Sequence, residues 1–200
     1  MPPELTPDDV ARTALTDFPR YRALSNGLRR TRLSPFSIRI DGADPLAMTG
    51  DDITLEGANT SFQVHLRVAP RDFAATYNAA QIATPIALAI SGNSPVFCGH
   101  RLWEETRVAL FKQALDVRDL VEQAWRPPAR VSFGHGWVRR GAYELFAESV
   151  AVFPPILPLV GEEDSVAIAR AGGCPRLEEL RIQQGTVWRW NRAIYDPGDG

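Results

Sequence analysis

An α+β fold is the class this sequence predicts, and three features predict it. Short segments alternate polar and apolar residues as half-buried strands do. Longer segments carry helical spacing or are almost uniformly apolar. The two kinds follow one another without the regular strand–helix repeat of a doubly wound sheet. The 200 residues suffice for one ordinary domain with a core, and fractions of 44% hydrophobic and 23% charged are those of a globular chain.

Taken in order, the stretch up to Leu33 sets Arg20, Arg22, Arg29, Arg30 and Arg32 around Tyr21, Leu24 and Leu28. That spacing predicts an exposed helix with one apolar edge, whose basic face meets either solvent or an anionic ligand. Residues 37–41 alternate and stop at Gly42, which predicts a strand. A loop with Pro45, Gly50 and Asp51 follows. The clearest alternation lies in residues 54–68, read as a strand with Phe62, Val64, Leu66 and Val68 on one face and Ser61, Gln63, His65 and Arg67 on the other.

Pro70 suits the first turn of a helix, and residues 72–90, apolar nearly all round with Pro85 inside, predict a buried helix. Ser91-Gly92-Asn93-Ser94-Pro95 reads as its stop, before a short segment 96–98. A second helix is expected from Leu102 past Val121 towards Trp125, closed by Pro127-Pro128. Residues 142–153 read as a helix ended by Pro154, Pro155 and Pro158, residues 175–180 as a short helix, and residues 187–195 as a strand with Trp188 and Trp190 on one side.

Composition excludes several functions. A net charge of −2 offers no electrostatic case for binding nucleic acid. Lys112 is the only lysine, and Phe111-Lys112-Gln113 is not the G-K-[ST] step that a phosphate-binding P-loop needs. Cys98 and Cys174 lack CxxC partners, so neither a zinc ribbon nor a redox motif fits, and reduced, buried thiols are expected. Glu4, Asp8 and Asp9 stand where a signal peptide would be basic and then apolar, and no apolar run approaches the ~20 residues of a membrane span. A cytoplasmic chain is the expectation.

The polar face of residues 61–67 meets either water or a cleft. In a cleft, Gln63 and Arg67 can donate to a phosphoryl group, and His65 can donate or ligate a metal. Glu56, just upstream, is either a surface glutamate or a carboxylate for Mg²⁺. Arg107 falls on the apolar stripe of its helix, with Trp103, Leu110, Phe111 and Ala114, so it must pair with Glu104 or a neighbouring acid, or face a ligand. His100 and His135 each follow a glycine, and two Gly-His dipeptides do not make a metal site. Arg189 and Arg192 flank Trp190 and Asn191, which suits either stacking on a nucleotide base or packing at a sheet edge.

In combination, Glu56-Gly-Ala-Asn-Thr-Ser-Phe-Gln-Val-His-Leu-Arg67, a helix, Asn93-Ser94-Pro95, Gly99, Arg107 and Val187-Trp-Arg-Trp-Asn-Arg192 resemble the second family of glutamate–cysteine ligases and their carboxylate–amine ligase relatives. The resemblance spans roughly residues 34–200. It implies a partial glutamine-synthetase-like fold: a curved, mainly antiparallel sheet with helices packed on one face, holding ATP, Mg²⁺ and glutamate on its concave side. It implies transfer of the γ-phosphoryl group of ATP to the γ-carboxylate of glutamate, then displacement of phosphate by the amine of cysteine or another acceptor.

By position, the resemblance makes Arg107 and Arg192 contacts to nucleotide phosphates or substrate carboxylate. It makes Gln63, His65, Arg67 and Arg189 nucleotide contacts, and Glu56 and His65 metal ligands. Residues 1–33 would be a helical N-terminal segment and 34–200 a single ligase-like domain. The family's opening Gly-x-Glu-x-Glu strand and its final strand with an acid and an arginine are not found in this sequence, and His100-Arg101 replaces the usual Thr-Gly. The domain is therefore expected to be incomplete at both ends relative to the family, or divergent. The alternative it leaves open is a non-catalytic remnant or regulatory module that keeps the scaffold. Small-molecule partners are expected, with no nucleic acid or membrane, and open sheet edges would favour a homo-oligomer.

Overall fold

In the computed structural model, which describes residues 1–10, 16–32, 34–50, 53–118 and 128–198, the first element is helix α1 (Pro19–Thr31). Proline opens it at a position whose N–H would be unpaired anyway. Leu24 and Leu28, one turn apart, are buried, while Arg20, Arg22, Arg29 and Arg30 are exposed, as the spacing predicts. Gly27 lets the helix approach Ile156 closely: a Cβ there would lie 2.4 Å from Ile156 Cγ2. At the exit Arg32 turns inward, donating from Nε to the Ser34 carbonyl (2.9 Å) and from Nη1 to that of Asp116 (2.5 Å), with its guanidinium over the Phe36 ring.

Strand β1 (Phe36–Ile40) buries Phe36, Ile38 and Ile40, the period-two pattern of a half-buried strand. It pairs antiparallel with β2 (Leu46–Gly50), Ile38 opposite Met48. Residues 46–50 were expected as loop; only Leu46 of this strand is fully buried, so its apolar pattern is faint and the backbone ladder decides it. The outer edge of β1 is closed by a side chain. Arg39 N–H donates to Gln113 Oε1 (2.7 Å), and Gln113 Nε2 donates to the Arg39 carbonyl (2.9 Å), so an amide stands in for a neighbouring strand.

The expected strand over residues 54–68 is not formed. Thr54–Gly57 is a helical turn, α2, that drives Leu55 into the core and is closed by Asn59 Nδ2 on the Leu55 carbonyl (2.8 Å). Residues 61–68 belong to no strand, and Phe62 (90% exposed), Val64 (72%) and Leu66 (65%) are as open as the polar face opposite. Alternation states which side chains share a face. A strand also needs a partner for its backbone, which no local pattern supplies.

A 3-10 turn (Pro70–Asp72) leads into α3 (Phe73–Ser91), close to the expected bounds. Its predicted burial is overturned. Tyr77 alone in it is buried, and every residue from Pro85 to Ser91 is exposed, including Ile86 and Ile90. The first half is held by polar groups. Asn78 Nδ2 donates to the Val138 carbonyl (2.8 Å) and Val138 N–H returns to Asn78 Oδ1 (3.0 Å), while Gln81 Nε2 donates to the Phe133 carbonyl (2.8 Å).

Two-residue strands β3 (Val96–Phe97) and β4 (His100–Arg101) form a hairpin through Cys98 and Gly99. Both turn residues have positive φ, 49° and 78°, the requirement of a type I′ turn. Arg101 clamps Asp44 through Nε (2.7 Å) and Nη2 (3.2 Å), joining the two hairpins. Helix α4 (Thr106–Ala114) starts later than expected, because Ser94 and Glu105 bridge before it begins. It ends at Leu115, beyond which Asp116 is held by Arg118 (2.6 and 2.7 Å). The expected continuation to Trp125 lies outside the described residues, as do Leu33, Asp51 and Pro127.

Helix α5 (Tyr143–Val152) matches its expected span. Two short helices follow, α6 (Ser165–Arg170) and α7 (Glu178–Gln184), the latter starting later than the 175–180 segment. The expected strand over residues 187–195 reduces to a single bridge, Ser132 to Arg189. Trp188 is nonetheless buried, and Trp190 sits between Phe111 and Phe133 (ring centroids 5.6 and 6.3 Å). Packing of the tryptophans does not require a ladder.

The architecture is α+β, with two separate two-stranded antiparallel sheets among the described residues. Three buried clusters hold it. Ile38, Ile40, Leu55, Phe97 and Leu110 pack between the first hairpin, α2, β3 and α4; Leu28, Phe36, Leu115, Ile156 and Trp188 join α1 to the C-terminal half; Tyr77, Val138, Leu145 and Ala193 join α3 to α5. Both cysteines are free. Cys98 is half-buried as a thiol of this kind is expected to be, but Cys174 is exposed. Among the described residues no helix is long and apolar enough to cross a membrane.

Candidate functional site

Two polar clusters gather Arg107, Arg189 and His135 among the residues singled out by the sequence. The first surrounds Arg107 at the start of α4. Thr106 anchors the helix start: its hydroxyl donates to the Trp103 carbonyl (3.0 Å) and accepts from Trp103 N–H (3.2 Å). Arg107, one residue on, is presented to the Asn93-Ser94 turn and to Thr60. Its Nε and Nη2 chelate Glu105 (2.5 and 2.9 Å), Nη1 donates to the Thr60 carbonyl (2.7 Å), and Nη2 also donates to Asn93 Oδ1 (2.7 Å). Buried Ser94 completes the knot, donating from Oγ to Glu105 Oε1 (2.8 Å) and accepting from Arg107 N–H (3.3 Å).

The acid beside Arg107 is Glu105, the neighbouring acid that the sequence allowed as well as Glu104. Burial alone would raise the Glu105 carboxyl, but hydrogen bonds from Arg107, Ser94 and the Asn93 amide hold it below its ordinary value. The guanidinium is correspondingly raised, first by its hydrogen bonds to Glu105. A carboxyl whose value is depressed on folding contributes stability that is present above its unfolded value and is lost as pH falls through the folded one. Wild-type stability is thus expected to drop below about pH 4.5, the ordinary value for this carboxyl. The Glu105→Gln variant should show a smaller drop over the same window. Urea midpoints at a series of pH values measure both, and parallel curves would contradict the assignment.

Gln63, His65 and Arg67 lie on the exposed segment that leaves Thr60. His65 Nε2 is 3.4 Å from Gln63 Oε1, and that is the closest approach within this set. Glu56 is half-buried in α2, with its carboxyl pushed up by burial against a weaker pull from Arg20. Among the described residues no group of three or more His, Cys, Asp and Glu side chains is placed to hold a metal ion. Mg²⁺ takes mostly oxygen ligands and favours ionised carboxylates. Glu56, whose burial favours the neutral form, together with His65, does not fit that demand.

The second cluster is built where residues 130–138 run beside residues 187–192. Ser132 N–H donates to the Trp188 carbonyl (3.3 Å) and Trp190 N–H to the Ser132 carbonyl (3.0 Å). Arg189 is thereby delivered inward, its side chain 3% exposed, where Nη2 pairs with Glu148 Oε1 of α5. The same oxygen meets His135 Nδ1 at 2.7 Å. Desolvation would raise the Glu148 carboxyl, but the bonds from His135 and Arg189 hold it below its usual value. Arg189 Nε and Nη1 have no hydrogen-bond partner among the described residues.

Gly134 makes this approach possible. It has φ +92°, and a Cβ on it would lie 2.2 Å from Arg189 Nη1. Gly134→Ala is expected to cost about 1–2 kcal/mol from the backbone conformation alone, and to displace Arg189 besides. A denaturation midpoint unchanged by the substitution would show that the loop relaxes freely.

Arg192 differs from the other arginines of the site. It is half-buried, burial lowers its affinity for the proton, and it makes no hydrogen bond or ion pair among the described residues. Its neighbour Asn191 is fixed to α3, with Nδ2 donating to Gln81 Oε1 (2.7 Å) and Thr84 Oγ1 (2.9 Å) and its carbonyl accepting from Tyr77 (3.2 Å). Arg107 and Arg192 thus have opposite characters: the first has every guanidinium nitrogen occupied by protein, and the second is a partly dehydrated cation without an acid.

His135 and Glu148 were not assembled by sequence reasoning. The glycines around His135 mark a special turn, but its carboxylate lies on another element, and no local spacing joins them. Comparison of the chain with family models, with curated proteins and with solved structures finds no match.

Proposed function

We propose that this protein is an ATP-dependent carboxylate–amine ligase that phosphorylates the γ-carboxylate of glutamate and joins the resulting acyl group to an amine such as that of cysteine. One observation carries the reading: the separated segments of the ligase-like pattern are hydrogen-bonded to one another. Arg107 links the Asn93-Ser94 turn to Thr60, at the head of the Gln63/His65 segment. Asn191, beside Arg192, is tied to the intervening helix α3.

In this reading the chain's own contribution is positioning and charge neutralisation. Arg192 meets the anion, a phosphoryl group or the glutamate carboxylate, because a guanidinium already stripped of part of its water and lacking a carboxylate gains most from a bidentate oxyanion. Arg107 acts by holding Thr60 and the turn together. Arg189, committed to Glu148, serves the same structural end. ATP supplies the phosphoryl group. The fold that would accompany this function is a curved antiparallel sheet of the glutamine synthetase kind; the described residues form two separate two-stranded sheets, and residues 61–68 and 187–192 belong to neither.

A second reading, a non-catalytic binding module on the same scaffold, is favoured by one specific feature: Gln63, His65 and Arg67 are open to solvent and residues 61–68 lack strand partners. Calorimetry with MgATP and glutamate, followed by phosphate release in the presence of cysteine, separates the two. The ligase reading expects saturable MgATP binding and phosphate release that needs glutamate. Absence of both leaves the binding module.

A further inference from the structure

The open segment 61–68 and the helix that follows it form one unit. Arg107 donates to the Thr60 carbonyl and to Asn93 Oδ1 (2.7 Å each), which ties the head of the segment to the turn just past the end of α3. Its tail joins the start of α3 through the Pro70–Asp72 turn. The helix between these two ends rises about 27 Å. Residues 61–69 must cover most of that distance, which takes a nearly extended chain. We propose that this extended arm is a dimerisation strand, pairing antiparallel with the same arm of a second copy of the chain about a two-fold axis at Val64.

The arm has an unspent backbone and a pattern that fits its own copy. Among the described residues no backbone hydrogen bond reaches residues 61–68, and an extended segment in that state offers its N–H and C=O groups to another strand. Pairing about Val64 sets Phe62 opposite Leu66, Gln63 opposite His65 and Ser61 opposite Arg67. Apolar residues then meet apolar ones on a single face, and the only charge in the arm never meets its copy. Parallel pairing in register would set Arg67 on Arg67. The next antiparallel register that keeps the faces, about His65, would oppose the two His65 rings and draw in half-buried Val68.

Area and charge point to a second copy as the occupant. A two-stranded ribbon alone is marginal in water and needs further apolar surface beside it. The last turns of α3, at the head of the arm, supply it, with Ile86 65% and Ile90 85% exposed. At roughly 150–200 Å² for each fully open residue of this size, Phe62, Val64, Leu66, Ile86 and Ile90 leave on the order of 700 Å² uncovered, close to the ~800 Å² per partner of a standard stable interface. Between Thr60 and Ser91 the only charged residues are Arg67, Arg71 and Asp72, and the last two pair with each other (3.4 Å). Such a surface has no charge pattern to select an unlike partner and nothing to drive two copies apart.

The pairing rests on the arm itself and not on the ligase reading. Sedimentation of the full chain without nucleotide, over about 1–100 μM, is expected to show a monomer–dimer equilibrium. Val64→Lys changes an exposed side chain and sets two ammonium groups against each other at the axis. It should weaken dimerisation about 100-fold and leave the helical circular dichroism in place, whereas Val64→Ile should leave the dimer intact. A monomer at every concentration, open-ended polymers, or a dimer indifferent to Val64→Lys would overturn the proposal. MgATP binding by a chain that stays monomeric keeps the ligase reading and removes this one; a dimer that depends on Val64 and binds no MgATP does the reverse.

Discussion

Replacing Glu148 by alanine is expected to destabilise the protein by about 3–5 kcal/mol, the loss typical of breaking one side of a buried ion pair. The size follows from what is left behind. Arg189 has a side chain 3% exposed, Glu148 is its carboxylate partner, and Nε and Nη1 already lack acceptors among the described residues. Without Glu148 a buried guanidinium would have no countercharge, and His135 would lose its anchor to α5. Glu148→Gln keeps an acceptor oxygen in place and should cost clearly less. The double variant Glu148→Leu/Arg189→Met removes both charges and should recover most of the loss, because an apolar pair avoids the desolvation cost of either ion. Urea midpoints at constant m-value give all three numbers. A loss for Glu148→Ala of less than about 1 kcal/mol, the range of exposed pairs, would mean that Arg189 reaches water when released.

Arg192→Ala carries the largest expected effect on activity. If Arg192 neutralises an oxyanion in the reaction, its removal should lower kcat/KM for glutamate-dependent phosphate release by about 100-fold. Stability should change little or rise slightly. The arginine is half-buried without an acid among the described residues, and burial lowers its pKa, so the folded state gains nothing from the charge. Arg192→Lys keeps the charge but not the planar fork, and an intermediate rate is expected. The paired measurement is decisive, because a structural arginine would give the opposite result: a lowered urea midpoint with turnover unchanged.

Arg107→Ala should be the mirror image of Arg192→Ala. Its guanidinium spans Glu105, Asn93 and the Thr60 carbonyl, and its loss leaves Glu105 with a single side-chain donor, Ser94. Stability and activity are therefore expected to fall together. The contrast between the two arginines could not be read from their sequence contexts, since each stands near tryptophan or phenylalanine in a segment of the same ligase-like pattern. It arises from what lies beside each side chain in space.

Local chemistry was sufficient for α1, α3 and α5, but not for α2, whose residues read as part of a strand, or for α6. Pro19 and the Leu24/Leu28 pair define α1, the apolar stretch before Gly92 defines α3, and the prolines after Phe153 end α5. Strand β1 was legible for the same reason, as three alternate apolar residues stopped by Gly42. Its partner β2 was not, because a strand with one fully buried side chain has no period to detect. Residues 61–68 failed in the opposite sense: their alternation is the strongest in the chain, yet among the described residues no strand lies alongside them.

The α+β class, the exposed basic helix and the demand that Arg107 find an acid or a ligand all follow from the sequence. Each depends on residues within a turn or two, or on the cost of burying a charge. The identity of Glu105 as that acid, the meeting of His135, Glu148 and Arg189, and the absence of a partner for Arg192 among the described residues were decided only by the tertiary structure. They depend on which distant elements are packed together, and the length of chain between those elements carries no record of it. The exposure of α3 beyond Pro85 belongs with them: an all-round apolar helix states that it can be buried, and the fold determines whether anything covers it.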